Sequence, residues 1–173
     1  MSQQCREWIV SDEYADEIVG YYGQESLLAG KECYEGIMEY YQNFSNVRAD
    51  RTLHGKKRYL LICDEYPAFI NYLQMKDKTE KTKLSNDILG AIAEILMLGR
   101  GIACGCWLLT QRADSTLFAN GARDNFMVVI GLGRMSREQK GMVFTGQEIP
   151  DEILGAGEGL LLADGKELVT VKY

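Results

Sequence analysis

The run Tyr59-Leu60-Leu61-Ile62-Cys63-Asp64-Glu65 decides the fold class, because five consecutive apolar residues end abruptly at two acids. A strand covered on both faces of a parallel sheet has this unbroken apolar character, whereas a strand with one wet face alternates. Two more apolar runs follow, over Cys104 to Leu109 and over Phe126 to Ile130. Helical patterns separate the runs, which predicts an α/β domain with a mainly parallel sheet flanked by helices.

Helices are predicted where apolar residues recur at steps of three and four. One amphipathic helix is expected from Ser26 to about Phe44, and the clearest one runs from Leu84 to Leu96. A short helix follows Pro67. The lysine-rich stretch after it, residues 74–83, has no aliphatic residue beyond Met75 and is predicted to be mobile.

The remaining segments suit short strands and connectors. Trp8-Ile9-Val10 predicts a brief strand that ends at Asp12. Residues 45–58 are polar and basic, which favours a surface connector, with a phosphate-touching loop as the alternative. Ser136 suits the N-cap of a helix that reaches Phe144, and residues 158–172 predict a C-terminal β-hairpin.

The composition bounds the kind of molecule. With 173 residues, 46% of them apolar, the chain fits one domain, and its net charge of −6 requires any nucleic-acid contact to be local. Five cysteines, an odd number, indicate a reduced, cytoplasmic setting, and the single histidine argues against a zinc site. No apolar stretch reaches the length of a bilayer crossing, so no membrane contact is expected for this segment.

The acids after the first run stand where chemistry is expected, because ligands of open parallel sheets bind beyond the carboxyl ends of the strands. An apolar strand followed by Asp-Glu has the form of a Walker B element. In that element the first acid, here Asp64, holds a magnesium ion, and the second, Glu65, polarises the attacking water. Many apolar strands end at an acid by chance, so a strand that turns into solvent is the alternative.

Gln111 gives the acids a candidate partner. It ends the second apolar run 46 residues after Glu65, so its amide is expected beside the acids at the same edge of the sheet. In motor ATPases a polar group at this place senses the terminal phosphate and orients water. The alternative is that Thr110-Gln111-Arg112 merely carries the chain into solvent.

Several stretches together resemble the FtsK/SpoIIIE family of DNA translocases and related conjugative coupling ATPases, within the FtsK/HerA superfamily. They are Tyr59 to Tyr66, Gly99 to Arg112, Ala122 to Ser136, and Gly157 to Gly165, the last resembling the hairpin that closes the motor core. In the family the second stretch reads roughly Arg-x-x-Gly-Ile-His, an apolar strand and then Thr-Gln-Arg-Pro.

The second stretch both matches and departs from that pattern. Arg100 and Thr110-Gln111-Arg112 match it. Ala103-Cys104-Gly105 stands where Gly-Ile-His is usual, and Ala113 replaces the proline.

The resemblance implies a RecA-like P-loop NTPase core and a role for each matched residue. Asp64 would hold Mg²⁺, Glu65 would act as catalytic base, and Gln111 would sense the phosphate of ATP, with Arg112 also beside the nucleotide. Arg134 would reach the nucleotide of a neighbouring subunit; for this role Arg112 and Arg123 are the alternatives. For each arginine, a surface or ion-paired side chain is the competing interpretation.

The resemblance also implies partners and a setting. The partners are double-stranded DNA and further copies of the chain in a ring, a hexamer in this family. The process would be cell division, sporulation or conjugative transfer. The location would be the cytoplasm, where an N-terminal region outside this sequence would tether the full-length protein to the membrane.

The phosphate-binding loop of such a core does not occur in this sequence. A P-loop needs Gly-x-x-x-x-Gly-Lys-Ser/Thr, and the nearest runs, Gly30-Lys31-Glu32 and Gly165-Lys166-Glu167, lack the hydroxyl residue. We expect the missing loop to lie just before Met1, in a longer protein of which this chain is the C-terminal part. Each lost charge-assisted contact contributes about 1.5 to 3 kcal/mol, so the chain alone is predicted to bind ATP poorly and to show no turnover.

Two other functions compete with a translocase fragment. One is a stand-alone, hydrolysis-deficient module with a binding or regulatory role, which keeps the ATPase sheet. The other is a hydrolase that uses Asp64 and Glu65 as an acid pair. We disfavour the hydrolase because adjacent strand residues point to opposite faces.

Overall fold

The computed structural model describes residues 17–22, 27–111, 117–118, 121–151, 154–164 and 166–173, with the side chains of 17–22 and 27–32 left aside. The strand expected at Trp8-Ile9-Val10 lies outside the described residues, as does Arg112. The described part is α/β, as predicted, and contains two three-stranded sheets.

The first sheet is parallel and has the order β1-β2-β3. Its strands are β1 at Glu17–Tyr22, β2 at Tyr59–Asp64 and β3 at Cys104–Leu108. The predicted runs around residues 59 and 104 therefore form adjacent strands, with Leu61 opposite Cys106. We had not predicted β1, whose sequence EIVGYY is short and interrupted by a glycine.

Three helices cover one face of this sheet. They are α1 at Leu27–Ala49, α2 at Tyr66–Glu80 and α3 at Leu84–Leu98. Leu61 and Cys63 of β2 point into the resulting core and meet the buried residues Phe44, Tyr66, Phe69, Ile70, Leu73, Ile88 and Ile92. A typical buried aliphatic side chain contributes about 1.5 to 3 kcal/mol, so this cluster dominates the stability of the domain.

The other face of the parallel sheet is only partly covered in the described part of the chain. Leu60 and Ile62 of β2 are half-buried there, and Trp107 of β3 is 54% exposed. We predicted strands covered on both faces, so the structure differs from that expectation. A continuously apolar strand is typical of a sheet covered on both faces. In the described part of the chain, the helices cover one of these faces.

The second sheet is antiparallel, which also differs from the mainly parallel sheet that we predicted. Its order is β4-β5-β6, formed by Val128–Leu132, Glu158–Ala163 and Val169–Lys172. The last two strands form a hairpin within the residues 158–172 where we expected one. Leu160 of β5 forms a small buried core with Phe144 and Leu154, next to helix α4 at Arg137–Val143. Ser136 is the N-cap of α4, as predicted, and it forms a capping box with Gln139.

Asp77 explains why the lysine-rich stretch is helical rather than mobile. Helix α2 continues through this stretch to Glu80, and α3 begins at Leu84 without a side-chain cap from its own N-cap residue, Lys83. The Asp77 carboxylate takes that place. It accepts hydrogen bonds from the backbone N–H groups of Leu84 and Ser85 at 2.8 and 2.9 Å. The hydroxyls of Thr82 and Ser85 donate to it as well, both at 2.6 Å.

The connection between α3 and β3 is tightly packed. Residues Gly99–Ile102 form a 3-10 helix, and a Cβ on Gly99 would lie 2.0 Å from the carbonyl oxygen of Cys104. Ala103 follows in the left-handed region at φ 61°. In the FtsK/SpoIIIE family, which the sequence resembles, glycine is usual at this position. Glycine adopts this conformation without steric cost. Arg100 of the same turn pairs with Asp164 at 2.7 Å and so links it to the β5-β6 turn.

Candidate active site

The ends of β2 and β3 are fastened together by Leu109. Its N–H donates to the carbonyl of Cys63 at 2.9 Å, and its carbonyl accepts from the N–H of Tyr66 at 3.1 Å. Parallel pairing thus continues one residue beyond β3 and reaches the first residue of α2. The segments that carry Asp64, Glu65 and Gln111 are held side by side by main-chain hydrogen bonds.

Glu65 has a strained backbone. It is the N-cap residue of α2 and lies in the left-handed region at φ 51° and ψ 39°. A residue with a Cβ in this region costs about 1 to 2 kcal/mol, and such strain often accompanies functional positions. Pro67 in the first turn of α2 lacks an N–H, which suits a helix that begins this sharply.

Gln111 and Glu65 meet, as their strand positions predicted. The Gln111 Nε2 atom donates to Oε1 of Glu65 at 2.6 Å. Asp64 lies beside them as the last residue of β2, and its Oδ1 accepts from the Glu65 N–H at 2.9 Å. The carboxyl edge of the parallel sheet therefore gathers two carboxylates and one amide. The Gln111 amide has a second hydrogen, and Glu65 has a second oxygen, for a ligand.

The left-handed turn at Glu65 removes the geometric objection to an acid-pair hydrolase. We argued against an acid-pair hydrolase because neighbouring strand residues point to opposite faces. Glu65 has left the strand, so that reason does not hold in this structure. Gln111 donates a hydrogen bond to Glu65, and this contact, rather than strand geometry, distinguishes Glu65 from Asp64.

A buried aromatic group supports the site from beneath. Tyr66 is fully buried and stacks on Phe118 at a centroid distance of 6.3 Å, and Phe118 meets Phe126 edge to face at 5.2 Å. Burial raises the pKa of the Tyr66 hydroxyl, and this hydroxyl has no hydrogen-bond partner among the described residues. We missed Tyr66 as a supporting residue, although its place next to the acid pair was a usable signal.

Neither of the remaining predicted arginines has a hydrogen bond or ion pair to Glu65 or Gln111 among the described residues. Arg134 is exposed shortly after β4, and in the described residues no hydrogen bond or ion pair connects it to that pair. Arg123 is half-buried, and its Nη2 atom is buried without a hydrogen-bond partner in the same described set. The Arg123 side chain is therefore less accessible to a neighbouring molecule than the Arg134 side chain.

The donor set at this edge fits a magnesium nucleotide. Among the described residues no group of three or more His, Cys, Asp or Glu side chains forms a metal cage. Mg²⁺ typically takes one or two protein carboxylates and completes its shell with phosphate oxygens and water. A single carboxylate at a strand end, Asp64, suits that mode of binding.

The sequence comparison gives a relative with a named domain. Over 90 residues the chain is 36% identical to the FtsK domain-containing protein YdcQ of Bacillus subtilis (strain 168), a match that covers 52% of this chain. The chain spans only 17% of the length of that relative. No protein-family model matches the sequence. The predicted resemblance to FtsK-type domains is confirmed.

Two solved structures share the fold. One is the cytoplasmic domain of the type VII secretion ATPase EccC of Thermomonospora curvata, with a TM-score of 0.57 and 17% identity over 90% of this chain and 21% of that one. The other is the pCW3 conjugation coupling protein TcpA in its monomer form with ATPγS, with a TM-score of 0.58 and 16% identity over 85% of this chain and 44% of that one. At these identities the likeness establishes the fold alone.

No helix in the described residues has both the length and the apolar composition that a bilayer crossing needs.

Proposed function

We propose that this chain carries the hydrolysis half of a RecA-like ATPase core that drives double-stranded DNA through a homo-oligomeric ring, a hexamer. The process would be conjugative transfer or chromosome segregation, and the domain would work in the cytoplasm. The contact between Gln111 and Glu65 carries this proposal. It supports an acid and an amide acting on one ligand at the carboxyl edge of adjacent parallel strands.

Each residue has a separate task in the proposed site. Asp64 holds the magnesium ion, which when bound neutralises phosphate charge. Glu65 keeps one oxygen on the Gln111 amide and offers the other to the attacking water. Gln111 donates its second amide hydrogen towards the terminal phosphate. Because the same amide holds Glu65, binding of the nucleotide affects the position of Glu65. Arg134, which is exposed, is the residue we assign to the nucleotide of the next subunit.

The phosphate-binding half has a place to dock. Strand β3 pairs with β2 on one side only within the described residues, and β4 is likewise an edge of its own sheet. Trp107 on β3 and Ile130 on β4 are both more than half exposed. A strand that pairs with the free edge of β3 and leads into a P-loop would satisfy that edge and bring backbone N–H groups to the phosphates beside Asp64.

The test supplies a phosphate-binding half to this chain. The genomic sequence upstream is read for an in-frame P-loop, and the joined polypeptide is assayed for ATP hydrolysis with and without duplex DNA. We expect no turnover from the 173-residue chain alone and DNA-stimulated turnover from the joined polypeptide. Glu65→Gln should lower that turnover by about 100-fold or more. Full activity in the Glu65→Gln variant would refute the role of Glu65.

A stand-alone binding or regulatory module remains the second candidate. It is favoured by the absence of any Gly-x-x-x-x-Gly-Lys-Ser/Thr run from the sequence. A stop codon directly upstream, together with unchanged partner binding in Glu65→Gln, would establish that function over hydrolysis.

A further inference from the structure

The strongest concentration of positive charge lies in residues 48–58, which we name the basic segment. Five of the 19 lysines and arginines fall in these eleven residues, against one of the 25 acids. The segment therefore carries a formal charge of +4, and the rest of the chain carries −10. Every residue of the segment is exposed. A local cationic surface on an acidic protein attracts polyanions to that surface alone.

The basic segment lies at the rim of the parallel sheet opposite the candidate active site. It leads into the amino end of β2, whereas Asp64 ends the same strand. A strand of six residues spans about 20 Å, at roughly 3.3 Å per residue. The segment is therefore too distant to contact a nucleotide held at Asp64. The predicted alternative of a phosphate-touching loop therefore concerns phosphates other than those of a nucleotide at Asp64.

Local hydrogen bonds give the segment a defined shape. Residues Arg51–Leu53 form a 3-10 helix, capped by Asp50, whose Oδ1 accepts from the Thr52 N–H at 2.9 Å and from the Thr52 hydroxyl at 2.7 Å. These hydrogen bonds from Thr52 lower the pKa of Asp50. Arg48 pairs with Glu94 of α3 and anchors the start of the segment. The side chains of Arg51, Lys56 and Lys57 project from this scaffold.

We propose that the basic segment binds the phosphate backbone of duplex nucleic acid, with Arg51, Lys56 and Lys57 as the contacting residues. Duplex DNA is chosen as the polyanion on the strength of the proposed function. The segment suits phosphates better than an anionic membrane, because its one large apolar side chain is Leu53, which is 39% exposed. Membrane-surface binding needs an apolar face as well as positive charge.

The test compares two triple variants with the same change in charge. Arg51→Gln/Lys56→Gln/Lys57→Gln removes the proposed contacts, and Lys78→Gln/Arg137→Gln/Lys166→Gln removes three exposed cations elsewhere. Binding of each protein to a fluorescein-labelled duplex is followed by anisotropy across a potassium chloride series. We expect the first variant to bind at least about 10-fold more weakly and to lose about 2 to 3 units of salt slope. The control should change less than about 2-fold, since its cations make no contact.

Three results would overturn the assignment. They are equal weakening in both variants, no binding by the unaltered protein at low salt, and binding only to vesicles that contain about 30% phosphatidylserine. The outcome separates from that of the proposed function. If DNA-stimulated turnover of the joined polypeptide is lost in Glu65→Gln but unchanged in Arg51→Gln/Lys56→Gln/Lys57→Gln, only the role of the basic segment is refuted. If duplex binding depends on the basic segment but the joined polypeptide shows no turnover, only the proposed ATP hydrolysis is refuted.

Discussion

Replacing Asp77 tests how one carboxylate holds two helices together. Its oxygens accept four hydrogen bonds, two from backbone N–H groups at the start of α3 and two from hydroxyls. Loss of an N-cap costs about 0.5 to 2 kcal/mol, and a buried donor left without a partner costs about 1 to 3 kcal/mol. Ser85 is buried, so Asp77→Ala should lower the free energy of unfolding by about 2 to 3 kcal/mol.

The pH dependence of this effect has a definite sign. Partial burial disfavours the Asp77 charge, but the hydrogen bonds from Ser85, Thr82 and Leu84 outweigh it and lower the pKa from 3.8 to about 2. The folded pKa is below the unfolded one, so the stabilisation is present above about pH 4 and is lost as the pH falls towards 2. Because the side chain is only partly buried, solvent screening limits this pH-dependent part to about 1 to 2 kcal/mol.

The assay is urea unfolding followed by far-ultraviolet circular dichroism at about pH 7 and about pH 3. The gap in unfolding free energy between the unaltered chain and Asp77→Ala should narrow at the lower pH by about half of the pH-dependent part. Asp77→Asn, which keeps one acceptor oxygen and cannot ionise, should lie between the two at neutral pH. A gap that is the same at both pH values would refute the reasoning, because the other carboxylates titrate in both proteins.

The remaining predictions concern the backbone at three other places. Glu65→Gly should be more stable than Glu65→Ala by about 1 kcal/mol in urea unfolding, because both lack the carboxylate and only glycine relieves the left-handed strain; equal stabilities would place that strain elsewhere. Gly99→Ala should cost about 1 to 3 kcal/mol or prevent folding, since the new Cβ would collide with the Cys104 carbonyl, whereas Gly101→Ala, with nothing near its Cβ, should leave the melting temperature almost unchanged. Ala103→Gly should stabilise the chain by about 0.5 to 1 kcal/mol, because φ is 61° there; a loss of stability would contradict the conformational argument.

The sequence was most informative where a single segment decides its own structure. Apolar runs predicted β2 and β3, their acid and amide ends predicted the Glu65–Gln111 contact, and Ser136 predicted the start of α4. These features depend on neighbours along the chain or on the rule that parallel strands end at one edge.

What the sequence did not predict depends on contacts between distant residues. Helix α2 extends to Glu80 because Asp77 bonds to α3, a pairing that no periodicity reveals. The sheet divides into two because β4 pairs with β5 rather than with β3, although all three have the same apolar character. The left-handed turn at Glu65 also escaped prediction, since no glycine marks it.

Leu109 joins a strand to a helix through its main chain, while its side chain is 45% exposed. The spacing of Glu65 and Gln111 should therefore tolerate almost any side chain at position 109. Proline is the exception, because it removes the N–H that bonds to Cys63. Relatives can diverge freely at this residue and still keep the acid and the amide in register. A motif search that scores side chains would give no weight to this position, which helps to align them.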